Sequence, residues 1–431
     1  MRSPKRAFLA LCAAACAPWS AAFAFEIGAA ISHESEYTTN TARSDDDEVA
    51  EWIHSPSLEL GAEHEGGSLS LSAGYIFERR YHQKDLYDTE KADRGAAELR
   101  WQALPSRLDF NVRNVRTETT QRAFESDTRD NRQVVAYTEL GPTLRLQPRP
   151  GDELQVEYAF TDVNASETDT DSKRHTGSLR YILGFSESQN LTYESSYRDI
   201  DYDNENSPDV TGWTHTGTYA AKMRLLDVSL TGGVSRLDRT LDRDSVKGRV
   251  LRANVAWERG NSRLAFNVSD ELRDQSTNIT RTDNDFGDRE SEDSDLNEVF
   301  TETRAELAWE QVIGRSTFNV GIFASEEDYE DLADRDSERV GARFRISRRI
   351  TRQTSVSLRF DISNRKFPGR DEDVDEYRAG LSLDRDIGRS LRLTFNARYE
   401  KDKSKDTGGR NFDEWITGIG LTYQAFGNRR R

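Results

Sequence analysis

Cysteine is almost absent from this chain of 431 residues. Its two cysteines, Cys12 and Cys16, both lie near the N-terminus, and none follows them. A chain without cysteine beyond residue 16 has no disulfide, no thiolate nucleophile and no thiolate metal site there. Covalent haem attachment is excluded for the same reason.

The first 24 residues have the features of a secretory signal peptide. A basic start is followed by a short apolar run and by the cleavage pattern Ala22-Phe23-Ala24. We therefore predict a signal peptide over residues 1–24 and a mature chain that begins at Phe25. Lipoprotein processing at Cys16 is the alternative, although Ala13 stands where such sites usually have leucine.

Long hydrophobic runs are also missing. No segment after the signal approaches the roughly 18 continuous apolar residues of a membrane helix. Hydrophobic residues make up only 35% of the chain, which is too little for the apolar cores that a soluble chain of this length would form. A membrane β-barrel needs apolar residues only at alternate positions across the lipid. The net charge of -17 argues against nucleic-acid binding.

The mature chain alternates apolar and polar residues with the period of two that β-strands have. The clearest stretches are residues 154–160, 251–257, 340–346, 356–362 and 391–399. Short turns and long loops follow one another in strict alternation, and the turns are rich in Gly, Pro, Ser and Asn. A soluble β-sandwich alternates too, but charged residues in the middle of the polar faces favour a membrane barrel.

We predict an all-β fold, an antiparallel up-and-down transmembrane β-barrel of about 20 strands over residues 25–426. The alternative is 18 strands, because the first strand pair is the least regular. Residues 427–431 form a short basic tail. In such barrels the long loops are extracellular and the short turns periplasmic.

Aromatic residues gather near the predicted strand ends. They are Tyr75, Phe77, Trp101, Trp257, Trp309, Trp415 and Tyr423. They form either the girdle that marks a membrane interface or the ordinary aromatic content of β-strands.

The start of the mature chain carries a family resemblance. An acidic loop follows residues 35–40, which read Ser-Glu-Tyr-Thr-Thr-Asn. After the loop comes Ser-Pro-Ser-Leu-Glu-Leu at residues 55–60. A Gly-Gly turn then leads to Leu-Ser-Leu-Ser-Ala-Gly-Tyr at residues 69–75. This pattern resembles the opening of barrel proteins associated with exosortase and PEP-CTERM gene clusters. It is also similar to barrel porins encoded beside exopolysaccharide synthesis genes. The resemblance implies the outer membrane of a Gram-negative bacterium and a role in exopolysaccharide export or related secretion.

The sequence shows no recognisable catalytic or metal motif. Its six histidines form no metal-spaced pair, and no nucleophile elbow or phosphate-binding glycine loop is present. We expect no cofactor, no metal and no enzymatic activity. An enzyme at the barrel rim, using His82 beside Asp85 or His175 beside Asp171, is the less favoured alternative.

Charged residues occupy the polar faces of the strands, and alternation predicts that they line the lumen. The candidates are Arg100, Arg113, Arg252, Arg304, Arg343, Arg345, Arg359, Arg392, Arg398, Glu157, Glu258, Glu306 and Asp361. They form either cross-strand ion pairs that brace the wall or a track for an anionic solute such as an acidic sugar polymer.

The expected partners follow from the barrel and its acidic loops. They are outer-membrane lipid and lipopolysaccharide. The acidic loops are by default a solvated surface, and the alternative is that their carboxylates bind divalent cations that bridge to lipopolysaccharide. Polysaccharide or export-machinery proteins are further candidates. Two functions stay open: a channel that takes part in exopolysaccharide export, and a structural sheath or scaffold that encloses a partner protein.

Overall fold

The structure is a computed structural model that describes residues 25–45, 48–84, 86–120, 131–167, 171–204, 207–240, 245–274, 299–405 and 411–426. The predicted signal peptide, the C-terminal tail and the long acidic segment 275–298 lie outside these ranges. Within them, no helix is long and apolar enough to cross a membrane.

The described residues form 21 strands and two 3₁₀ helices. The strands are β1 (Glu26–Thr38), β2 (Glu51–Glu65), β3 (Leu69–His82), β4 (Glu90–Lys91), β5 (Arg94–Leu104), β6 (Leu108–Thr120), β7 (Arg132–Leu146), β8 (Asp152–Ala165), β9 (Ser172–Ser186), β10 (Gln189–Tyr202), β11 (Val210–Lys222), β12 (Leu226–Arg239), β13 (Val246–Arg259), β14 (Ser262–Asp274), β15 (Val299–Ile313), β16 (Ser316–Tyr329), β17 (Ser337–Arg349), β18 (Thr354–Phe367), β19 (Glu372–Ile387), β20 (Leu391–Ser404) and β21 (Asn411–Phe426). The 3₁₀ helices are Ala333–Arg335 and Pro368–Arg370.

The strands form a closed antiparallel barrel. Each long strand pairs with the next one along the chain, and β3 pairs with β5 across the two-residue β4. The first strand pairs with the last, for example Ile31 with Tyr423, so the sheet has no free edge. Without β4 the wall has twenty strands, which confirms the predicted barrel of about 20 strands.

Glycine at the short turns allows tight reversals of the chain. Gly260, Gly314 and Gly388 have φ angles of 61°, 60° and 70°, a region that glycine enters without the steric cost of a Cβ. Two of these hairpins have two-residue turns, because Arg259 pairs with Ser262 and Ile313 with Ser316.

Alternation along each strand separates an apolar outer surface from a polar interior. On β20 and β21, the paired residues Phe395 and Ile419 are exposed on the outside. Their chain neighbours Asn396 and Gly418 have the opposite parity and face the interior. The outer surface is apolar because lipid, rather than water, is the solvent that a barrel of this kind meets.

All six tryptophans beyond residue 24 lie on this outer surface, where they are 36–53% exposed. They form two belts. Trp52, Trp213 and Trp415 lie near the long loops, and Trp101, Trp257 and Trp309 lie near the short turns. The first three pair with tyrosine rings at centroid distances of 5.4, 4.6 and 4.8 Å.

The spacing of the two belts matches a membrane. On β21, Trp415 belongs to the belt near the long loops, and the exposed Tyr423 lies near the short turn, at the end where the other belt runs. The two residues are eight positions apart. At about 3.3 Å per residue and a strand tilt of about 40°, this is a height of roughly 20 Å. The apolar band of outer-membrane barrels is about 25 Å tall. The distribution favours the interfacial girdle, except that Tyr75 and Phe77 lie in the middle of β3 rather than at a strand end.

Candidate functional site: the barrel lumen

The barrel encloses a cavity of about 2770 Å³, lined by residues from strands all around the wall. Pockets for small ligands usually measure about 300–1,000 Å³. The cavity is therefore of a size for a large or extended solute.

Most of the predicted lumen residues line this cavity. The eight that do so are Arg252, Arg304, Arg343, Arg359, Arg392, Arg398, Glu306 and Asp361. The other five, which do not touch it, are Arg100, Arg113, Arg345, Glu157 and Glu258.

Several of these arginines contact carboxylates on the wall. Arg398 lies 2.8 Å from Glu36 on β1, and Arg392 lies 3.0 Å from Asp386 on β19. These contacts agree with the interpretation that cross-strand ion pairs brace the barrel wall. The arginine side chains are nevertheless 45% and 42% exposed, and exposed ion pairs contribute only about 0–1 kcal/mol. The same guanidinium groups remain accessible to a solute.

Arginine is concentrated on β17 and β18. Six arginines on these strands have the inward parity, against one inward acid, Asp361. We call five of them the arginine wall, which leaves out Arg349 at the turn end of β17; they are Arg339, Arg343, Arg345, Arg359 and Arg365.

An aromatic ring supports the arginine wall from β16. The guanidinium carbon of Arg343 lies 4.3 Å from the ring centroid of Phe323, and that of Arg339 lies 5.6 Å from it. Such cation–π contacts orient a guanidinium group. The ring lies over Gly341, where a Cβ would come within 2.5 Å of it. Glycine at this position therefore makes the stacking possible.

The opposite charge is found on β1 and β2, which contain no lysine or arginine. Five of their glutamates line the cavity, namely Glu26, Glu34, Glu36, Glu59 and Glu63. Within the described residues, Glu34 accepts a hydrogen bond from Asn396 at 2.5 Å. The lumen therefore has one acidic and one basic sector, which the strand compositions already indicate.

Loops bring further charges to the mouth of the barrel. Arg43, in the loop after β1, lies 2.8 Å from Glu400 and 3.0 Å from Glu414. Asp331, between β16 and β17, accepts a hydrogen bond from Arg239 at the end of β12, four strands away. Sequence reasoning missed both residues, because strand alternation says nothing about where a loop residue points.

The two histidines proposed for a rim enzyme lie in different environments. His82 is buried, and its ring nitrogens lie 2.8 Å from carboxylates of Glu51 and Glu90; Asp85 lies outside the described residues. His175 contacts the hydroxyl of Tyr158 at 2.7 Å. In the part of the chain that the structure describes, no three His, Cys, Asp or Glu side chains are grouped to hold a metal ion.

Comparisons with known proteins agree with a porin-like barrel. Residues 285–425, about a third of the chain, match the family described as "Putative beta-barrel porin 2". This match includes the arginine wall. It contains nothing that concerns exosortase, PEP-CTERM or exopolysaccharide genes. No curated protein matches the sequence.

Solved structures show the same fold. The FrpB iron transporter from Neisseria meningitidis (F5-1 variant) is similar with a TM-score of 0.54 and 9% identity, over 93% of this chain and 82% of that chain. The siderophore receptor PirA from Pseudomonas aeruginosa is similar with a TM-score of 0.51 and 10% identity, over 93% and 80%. At this identity the likeness concerns the fold alone.

Proposed function

We propose that the protein is an outer-membrane channel of a Gram-negative bacterium, that its lumen conducts an anionic solute, and that this solute is an acidic polysaccharide. The observation that carries the proposal is the arginine wall on a cavity of about 2770 Å³. The closed barrel and its two aromatic belts support the membrane location, since rings of this kind lie at membrane–water interfaces.

The arginine wall suits a repeating anion. Arg339 and Arg343 both line the cavity and lie four residues apart on one strand, a spacing of roughly 13 Å along the chain. Their planar guanidinium groups match carboxylates in shape, and they keep their charge at any relevant pH. Arg359 also contacts Asp361 at 2.5 Å. A solute carboxylate must compete with such wall contacts, so each binding step stays weak, as conduction requires.

Polysaccharide as the solute class rests on two further observations. The start of the mature chain resembles barrels encoded beside exopolysaccharide synthesis genes, and the cavity exceeds what a small molecule needs. The channel would then take part in exopolysaccharide export.

Ion selectivity tests the channel. In planar bilayers with a salt gradient, the wild type should prefer anions. The triple variant Arg343→Glu/Arg359→Glu/Arg365→Glu changes six units of charge on residues that line the cavity, so its reversal potential should change sign. Arg180→Glu on β9 is the control and should shift selectivity far less, since it changes two units of charge at a residue that does not line the cavity. Heat-modifiable mobility of each variant in gels would establish that it folds.

Three results would contradict the proposal. A triple variant with lowered thermal stability and unchanged selectivity would mean that the arginines only brace the wall. A purified wild type without conductance would favour a sheath filled by a partner protein. Recovery of the protein from the soluble periplasm, instead of as an outer-membrane protein that begins at Phe25, would end the membrane assignment.

A further inference from the structure

Lysine is rare and unevenly distributed in this chain. It has ten lysines among 60 basic residues, and four of them fall in the short interval from β18 to Lys405, the residue that follows β20. We call Lys366, Lys401, Lys403 and Lys405 the lysine patch. The register of β18, β19 and β20 brings the four together. Lys366 on β18 lies opposite Asp373 on β19, and Lys403 on β20 lies opposite Asp375 on β19.

The lysine patch lies on the outer surface of the barrel, beyond the aromatic belt. Lys401 and Lys403 share the parity of Tyr399, whose ring packs 4.8 Å from that of Trp415 on the outer surface. They follow Tyr399 by two and four residues, so they lie roughly 5 and 10 Å beyond the belt for a strand tilted by about 40°. This is the height at which lipid headgroups meet the wall.

The lysines differ in how closely they contact acids of the wall. Lys405 lies 3.0 Å from Asp373 and 3.7 Å from Asp375, and the hydrogen bond to Asp373 raises the pKa of Lys405. Within the described residues, Lys366, Lys401 and Lys403 form no ion pair. The acids that share this outer surface are Asp373, Asp375 and Asp413, which are the register partners of Lys366, Lys403 and Lys401. The four lysines outnumber them by one.

The neighbouring part of the outer surface has the opposite charge. At the loop ends of β16 and β17, the residues with outward parity are Glu326, Asp328 and Glu338. A membrane anion at this height is therefore repelled there and attracted to β18–β20. Charge complementarity on a lipid-facing surface points to an anionic headgroup, and flexible lysine side chains reach such groups readily.

We propose that the lysine patch binds the phosphate groups of the outer-leaflet glycolipid, lipopolysaccharide. This inference rests on the outer-membrane location in the proposed function, but not on the channel activity. The lysines would hold the lipid directly through its phosphates, without a bridging cation.

The test is retention of lipopolysaccharide by the intact protein. Wild type, Lys366→Gln/Lys401→Gln/Lys403→Gln and a control, Lys84→Gln/Lys173→Gln/Lys247→Gln, are extracted from outer membranes in the presence of a chelator and analysed by native mass spectrometry. Wild type and control should retain bound lipopolysaccharide, and the patch variant should lose it. Affinity for added lipopolysaccharide should fall about 10- to 100-fold in the patch variant. Its conductance should equal that of the wild type.

Three outcomes would overturn the proposal. Equal retention by the patch variant would mean that the lysines do not bind the lipid. Loss of lipid from the wild type in chelator would mean that loop carboxylates bind it through a divalent cation. Equal thermal stabilisation by inorganic phosphate and by lipopolysaccharide would identify a phosphate site instead of a lipid site. If the triple variant fails to fold, Lys403→Gln alone, at an exposed position, gives the same comparison. A failed membrane assignment would be recognised separately, from fractionation.

Discussion

Arg43 offers the sharpest test of how the barrel is held closed. It lies in the loop after β1, close to the seam where β1 pairs with β21. Its guanidinium group contacts Glu400 and Glu414 and lies 5.3 Å from the ring centroid of Phe412. Only 9% of the Arg43 side chain and 3% of the Glu414 side chain are exposed. The ion pair is therefore largely shielded from water.

Replacing Arg43 by alanine would leave the shielded carboxylate of Glu414 without its cation, whereas Glu400 would keep Arg378 at 3.9 Å. Removal of one partner from a buried pair costs about 3–5 kcal/mol. If unfolding entropy is about 2.1 cal/mol/K per residue, the unfolding temperature should fall by roughly 4–6 °C. The backbone of Arg43 has a φ of 50°, a region that costs a residue with a Cβ about 1 kcal/mol. Arg43→Gly should therefore be less destabilised than Arg43→Ala.

The assay is gel electrophoresis of heated samples, which measures the temperature at which the protein changes from its folded to its unfolded mobility. Tryptophan fluorescence checks the same transition. Arg236→Ala is the matched control. Arg236 contacts Asp238 at 2.7 Å, but both side chains are exposed, so the change should cost at most about 1 kcal/mol. If Arg43→Ala melts at the same temperature as this control, the loop contact does not stabilise the seam.

Two further predictions concern membrane placement. Leu381→Arg puts a charge on the lipid face of β19 and should destabilise the barrel by about 2–4 kcal/mol near the midplane, which reduces the assembled fraction. The control Gly380→Arg places its side chain in open space in the lumen and should assemble normally. Equal yields of the two assembled variants would contradict the assigned faces. A tag inserted at residues 278–297 should react with antibody on intact cells, while one at Gly314 should not; the reverse pattern would invert the topology.

Strand alternation is a local property, and it was enough to predict much of the architecture. Polar residues in the middle of an alternating stretch, such as Arg359, must avoid lipid, so their inward direction follows from parity alone. The number of strands follows from counting turns. The arginine wall is also visible in the composition of β17 and β18.

Partners across the barrel were decided only by closure of the sheet. Arg398 meets Glu36, 362 residues away in the chain, because β1 and β21 pair in one register among several that alternation would permit. Arg43 and the burial of His82 between Glu51 and Glu90 depend on loops, whose paths follow no periodic pattern. Which face of a strand meets lipid can therefore be predicted from the residues of that strand, since it depends on each side chain alone. Which charges meet follows from the closed barrel, since it depends on residues distant in the chain.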